Sequence, residues 1–134
     1  MFNPINYDEG KVQYIELATS QTVVKGDALK WSSGYLAVGS TGATQDVRYV
    51  ALEDVTTTAS ENTKCRVIPV EGVRFEADCD AVVSVADRGT YADMASKATI
   101  NPDSSSYDDF YIEEIVGIAE TSTKVIGRFV HALD

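Results

Sequence analysis

The chain has 134 residues, enough for one domain with a self-sufficient core, and its 44% hydrophobic and 24% charged residues are ordinary globular values. The formal net charge is -10, and the 11 Lys and Arg are scattered singly. That argues against a duplex or single-strand nucleic-acid binder, which needs clustered cations, and equally against binding to an anionic membrane surface.

Residues 1–10 read as an N-terminal arm. They hold two Asn, one Pro and two acids around isolated Phe2, Ile5 and Tyr7. The segment is too polar and acidic for a secretory signal, and no apolar stretch is long enough to span a bilayer, so a soluble intracellular product is expected. Residues 11–134 are expected to form a single β domain, with strands over Val12–Leu17 and Gln21–Val24. A turn at Lys25-Gly26-Asp27 precedes strands Ala28–Trp31 and Tyr35–Val38. Gly39 to Asp46 is a small-residue loop, and Val47–Leu52, apolar on both faces, is a buried strand.

After a polar loop at Thr56–Asn62, Arg66–Phe75 predicts a hairpin turning at Glu71-Gly72. Val70 then opposes Val73 and Ile68 opposes Phe75. This register sends Cys65 and Cys79 to opposite faces, so two free thiols are expected. A strand over Ala81–Val85 and a turn at Asp87-Arg88-Gly89 follow. Tyr91–Lys97 fits a strand or a short helix, Ile100 closes a short strand, and Asn101–Ser106 is a loop. Phe110–Ala119 and Lys124–His131 complete the chain as long strands. No 3.6-residue apolar period persists, so the fold class is mainly β, a small barrel or sandwich.

An internal echo accompanies this pattern. Gly26-Asp27 with Trp31, Val50–Glu53 and Arg66–Ile68 are mirrored by Gly89 with Tyr91, Val116–Glu120 and Arg128–Val130. The spacing is about sixty residues, too long for a solenoid repeat. It fits either two similar meanders packed as halves of one barrel or a reuse of the same turn punctuation.

Catalytic signatures do not emerge. His131 is the one histidine and lacks a Gly-x-Ser-x-Gly elbow; with two separated cysteines it makes a zinc site improbable. Asn101, Asp103, Ser105, Tyr107 and Asp109 alternate like a calcium loop, but Ser106 replaces the turn glycine and Ile112 the bidentate Glu. Gly34, Gly39 and Gly42 lack a following Gly-Lys-Ser/Thr. The acid pairs Asp108-Asp109 and Glu113-Glu114 point to opposite faces of a strand, unlike glycosidase carboxylates. No enzyme, metal or cofactor is expected, and a domain that binds protein surfaces remains.

The order of elements resembles the capsid decoration (cement, or head-stabilising) proteins of tailed phages. One likeness is to the lambda-type head decoration proteins, carried by Tyr49–Thr58, Arg66–Val70, Gly72 and Phe75. The other is to related short capsid-associated proteins, carried by Gly26-Asp27, Gly89, Tyr91, Val116-Gly117-Ile118-Ala119 and Val130. Together they cover residues 22–133. The resemblance implies a β-tulip-like barrel and a non-enzymatic homotrimer on the outer surface of the virion head. The partner would be the major capsid protein at local three-fold sites, with no nucleic acid, membrane or cofactor involved. Its arm would dock through Phe2, Asn3, Pro4, Ile5 and Tyr7. The alternatives are another viral β-barrel component, for head-tail joining or the tail, and a carbohydrate-binding or adhesin-like module.

Overall fold

The computed structural model describes residues 1–39 and 46–130. The loop glycine Gly42 and His131 therefore lie outside the described residues. The protein is mainly β, with 48% strand and 5% helix. Among the described residues thirteen strands run in chain order: β1 Phe2–Ile5, β2 Gln13–Glu16, β3 Thr22–Val23, β4 Ala28–Ser32, β5 Tyr35–Val38, β6 Val47–Ala51, β7 Val55–Thr56, β8 Lys64–Pro69, β9 Arg74–Cys79, β10 Tyr91–Ser96, β11 Thr99–Asn101, β12 Phe110–Ile115 and β13 Lys124–Phe129. Tyr91–Ser96 is thus extended, and the helical option for that stretch falls away. Ala81–Val85 is not a strand but an irregular segment entering a short 3-10 turn at Val85–Asp87.

The strands form two units of the same topology. The first has the order β2-β8-β6-β4-β5, and a parallel bridge between Leu17 and Leu36 joins its ends. The second runs β9-β13-β12-β10-β11 and closes into a barrel where β11 pairs in parallel with β9. Hydrogen bonds recur at equivalent positions. Leu17 N donates to Thr63 O (2.9 Å) as Cys79 N does to Thr123 O (2.8 Å). Ala18 N donates to Leu36 O (2.8 Å) as Asp80 N does to Ile100 O (3.0 Å). Gly26 N reaches Ala51 O and Gly89 N reaches Ile112 O, both at 2.8 Å. These two glycines turn the chain with φ of +91° and +77°, a region that side-chain-bearing residues rarely adopt. The five-stranded unit is therefore present twice, not as two halves of one barrel, but of the echo only the turn glycines Gly26 and Gly89 are equivalent: Val50–Glu53 correspond to residues of β12 and not to Val116–Glu120, and Val67 corresponds to Gly127.

The hairpin expected at Glu71-Gly72 does not form. β8 pairs with β2 and β6, whereas β9 pairs with β1, β11 and β13. The turn, held by Val73 N to Val70 O at 3.2 Å, links the two units instead. A local turn signal specifies the bend but not which strands pair across it. The cysteines consequently sit in different cores. Cys65 belongs to the first unit's interior with Leu17, Leu29, Leu36, Ala51 and Val67. Cys79 belongs to the second, larger core. Both thiols are free, as expected, though the reason is separation between units and not strand register.

The large core also holds Ala28, Val50, Ile68 and Val70 from the first unit, so the two units share one apolar interface. At its centre Phe2, Phe75, Phe110 and Phe129 pack ring to ring, with centroids 4.8 to 6.0 Å apart. Gly127 makes room for them, because a Cβ there would strike the Tyr111 carbonyl and the Phe110 ring.

Residues 1–10 do not form the expected free arm. β1 pairs antiparallel with β9, with Phe2 opposite Ala77 and Ile5 opposite Arg74, and Phe2 has no exposed surface. Phe2 N donates to Gly26 O at 2.9 Å, and the Met1 ammonium reaches Asp78 (3.0 Å) and Ala98 O (2.6 Å). Lys97 pairs with the buried Asp27 at 2.9 Å beside this junction. Isolated apolar residues gave no periodic signal because β1 contributes one large side chain to a core that another unit supplies.

Phe2→Ala is expected to destabilise the protein by about 3–5 kcal/mol, the usual cost of emptying a buried Phe site, measured by urea denaturation. The native thiols are expected to resist a thiol reagent and both to react after unfolding. Burial, reinforced by Glu53 and Asp27, pushes Cys65 up to about 12, and burial with Asp78, Asp80 and Asp87 pushes Cys79 up to about 12. Rapid labelling of the folded protein would contradict this.

Candidate functional site: an apolar end and a tyrosine cleft on the second unit

The residues expected to anchor the protein to a partner are dispersed by the fold. Phe2 offers nothing to a partner. Asn3 is exposed, Pro4 and Ile5 are half-buried along β1, and Tyr7 packs part of its ring on the core with its hydroxyl 3.3 Å from Glu9. They form a seam against β9 and not a projecting hook.

Large exposed apolar side chains gather elsewhere. At one end of the second unit, Ile118 is 77% exposed, Val85 59% and Val82 47%. Two loops present them, residues 80–88 and 116–123. The loops are tied together by Glu120 N to Val83 O (2.8 Å), Val85 N to the Glu120 carboxylate (3.3 Å), and Val83 N to Ser122 O (2.9 Å). Gly117 and Glu120 take positive φ, of 95° and 70°, and Ser122 Oγ donates to the Val116 carbonyl. Val85, Ile115, Gly117 and Ala119 line a shallow cleft of about 290 Å³, rimmed by Arg88 and Glu114.

The duplication gives this end an internal standard. In the first unit the equivalent loops form the β3–β7 ribbon, where Val23 opposes Val55 and Val23 is 1% exposed. There Val23 folds over the barrel end and Val55 is half-buried, although the adjacent Val24 stays exposed; in the second unit Val85 and Ile118 face outward. The sequence reading placed Val116–Ala119 inside a strand, and so missed this end. β12 in fact stops at Ile115. The one available signal was Gly117 beside an acid-and-hydroxyl run, Glu120-Thr121-Ser122-Thr123, which marks a turn.

A second cleft, of about 350 Å³, lies between Tyr91, Tyr111, Arg128, Phe129 and Val130. The two tyrosine rings are 5.2 Å apart. Arg128 is held at 3.0 Å by Glu113, which also receives Arg74 at 3.0 Å. Burial alone would raise the Glu113 carboxyl, but its hydrogen bonds to both guanidiniums hold it below the ordinary carboxylate range.

The loop expected to test for calcium is organised by an acid outside it. Asp93, 4% exposed, accepts from Ser104 Oγ (2.5 Å) and from the backbone N–H of Ser106 (2.9 Å), Tyr107 (2.7 Å) and Asp108 (3.0 Å). Asp109 points inward and accepts from Met94 N at 3.1 Å. The Ser104 hydroxyl and the backbone of residues 106–108, not the alternating side chains, thus cradle one carboxylate. Among the described residues no cluster of three or more His, Cys, Asp or Glu is placed to hold a metal ion.

No family model, curated protein or solved structure matches the chain.

Asp93→Asn is expected to cost about 2 kcal/mol at neutral pH, because an amide presents donors to donors. Burial raises the Asp93 carboxyl, but the Ser104 hydroxyl and the three amides outweigh it and hold it below the ordinary value. Its folded value is therefore below its unfolded one. The stabilisation is full above the ordinary carboxylate range and is lost as pH falls through it toward the folded value. Melting curves of both proteins from pH 7 to pH 3 should show the gap narrowing in acid; a constant gap would contradict this role.

Proposed function

We propose that this chain is a non-enzymatic structural protein of a tailed-phage virion. It binds the outer surface of the head as a homotrimer at local three-fold sites, touches the major capsid protein, and stabilises the shell. The observation that carries the reading is the outward-facing end of the second unit. Val82, Val85 and Ile118 are held by hydrogen-bonded loops although the same topology in the first unit can bury such residues. Preformed apolar patches on an acidic surface are places where another protein sits. The β-rich architecture and the resemblance of the order of strands and turns to that of capsid decoration proteins support the same reading.

The capsid contact is assigned here to this end and not to Phe2, Asn3, Pro4, Ile5 and Tyr7, whose main partner is β9. Three copies around an axis would multiply a modest contact by avidity. A second reading, a carbohydrate-binding module, is favoured by the Tyr91–Tyr111 cleft with its fixed Arg128.

The test is occupancy of undecorated phage heads, assembled from a major capsid protein and emptied of DNA. Wild-type protein should decorate them. Ile118→Asp should bind about thirtyfold more weakly, the loss of one good anchor at about 2 kcal/mol, while melting at the wild-type temperature. Failure of the wild-type protein to bind, together with selective binding on a glycan array, would favour the carbohydrate reading instead.

A further inference from the structure

The duplication also exposes an unfilled position in the first unit. In each unit the first strand meets the short hairpin in parallel over a few residues only: β9 with β11 at Asp78 and Cys79, and β2 with β5 through Leu17. The rest of that strand edge extends past the hairpin. In the second unit β1 fills it: Asn3 opposes Glu76, Phe2 opposes Ala77, Asp78 N donates to Met1 O, and Asp78 binds the Met1 ammonium. The equivalent edge of the first unit is Gln13–Glu16. Gln13, Tyr14 and Glu16 are exposed, Tyr14 at 62%, and Ile15 is half-exposed where its counterpart Ala77 is fully covered. Among the described residues, β8 is the one strand paired with Gln13–Glu16.

The backbone groups point the right way. Leu17 N bonds β8's neighbour Thr63, and Ala18 N bonds Leu36 on the opposite side. By strand alternation Tyr14 and Glu16 therefore direct their N–H and C=O outward, away from β8. Glu16 occupies the place of Asp78, the acid that holds a positive charge at the start of β1.

We infer that the Gln13–Glu16 edge is a strand-acceptor site. It receives an extended segment of another protein that runs antiparallel to β2, places an apolar residue opposite Ile15, and carries a Lys, an Arg or a free amino terminus beside Glu16. Main-chain hydrogen bonds give such a site its affinity, and alternate side chains give it selectivity. This site is separate from the apolar end on the second unit, and it stands whether or not the partner is a capsid.

The probe is a displayed library of random octapeptides selected on the full-length protein. Enriched sequences should alternate apolar and polar residues with a basic residue at the amino-terminal end. A synthetic copy of the strongest binder should slow amide exchange at Tyr14 and Glu16 by about tenfold or more. Tyr14→Pro removes one outward donor and should abolish binding. Glu16→Lys, which leaves the backbone intact, should weaken basic-leading peptides by about tenfold. No enrichment, exchange protection confined to other strands, or unchanged binding to both variants would overturn the inference.

Discussion

The geometry of this protein follows from one constraint. A five-stranded unit of this connectivity closes only where its first strand runs in parallel beside a short hairpin. The hairpins are brief, three or four residues on their second strand, β11 and β5. Closure is consequently local, and each first strand keeps an edge that the unit cannot satisfy from its own strands. The second unit meets that requirement with β1, drawn from the far end of the chain. The same need places Met1, Gly26, Asp27, Asp78, Lys97 and Ala98 at one junction, where both units and the first residues meet.

Sharing a core makes the two units one cooperative body. Val50 and Ile68 sit on strands whose alternate residues, Ala51 and Val67, fill the first unit's own interior. β6 and β8 are thus buried on both faces, which is why Val47–Leu52 is mostly apolar on both faces, Arg48 excepted. The second interior is aromatic where the first is aliphatic, and Gly127 stands where the first unit has Val67. The two barrels keep one topology with different packing solutions, as cores do when volume is conserved but shape is not.

Much of the fold was legible. Strands β2, β4, β5, β6 and β13 lie where alternation and turn residues put them, and Gly26 and Gly89 marked the repeat because a positive φ restricts the choice of residue. What could not be read was long-range. Glu71-Gly72 carries the chemistry of a hairpin turn, yet β9 finds better partners in β13 and β1, and nothing local encodes that choice. Phe2 gave no period because a four-residue strand has room for one core contact. The candidate site was the least legible part. Val116-Gly117-Ile118-Ala119 has the composition of a strand, and only the bulged end of β12 and the ties to residues 80–88 turn Ile118 toward solvent. Asp93, by contrast, drew no notice in the sequence because its partners are mostly backbone amides, which carry no sequence signature.

The placement of β1 also sets the order in which this chain can mature. β1 is synthesised before its partner, β9, and the seven strands β2 to β8 lie between them in the chain. Until β9, β12 and β13 emerge, Phe2 has no pocket and the outer faces of β6 and β8 have no cover. The first unit therefore spends the interval as a nascent barrel with an uncapped apolar face, and the event that covers it is the long-range docking of the second unit and of β1 on β9. Such non-local closure makes maturation slow and leaves it open to intermolecular pairing while it waits.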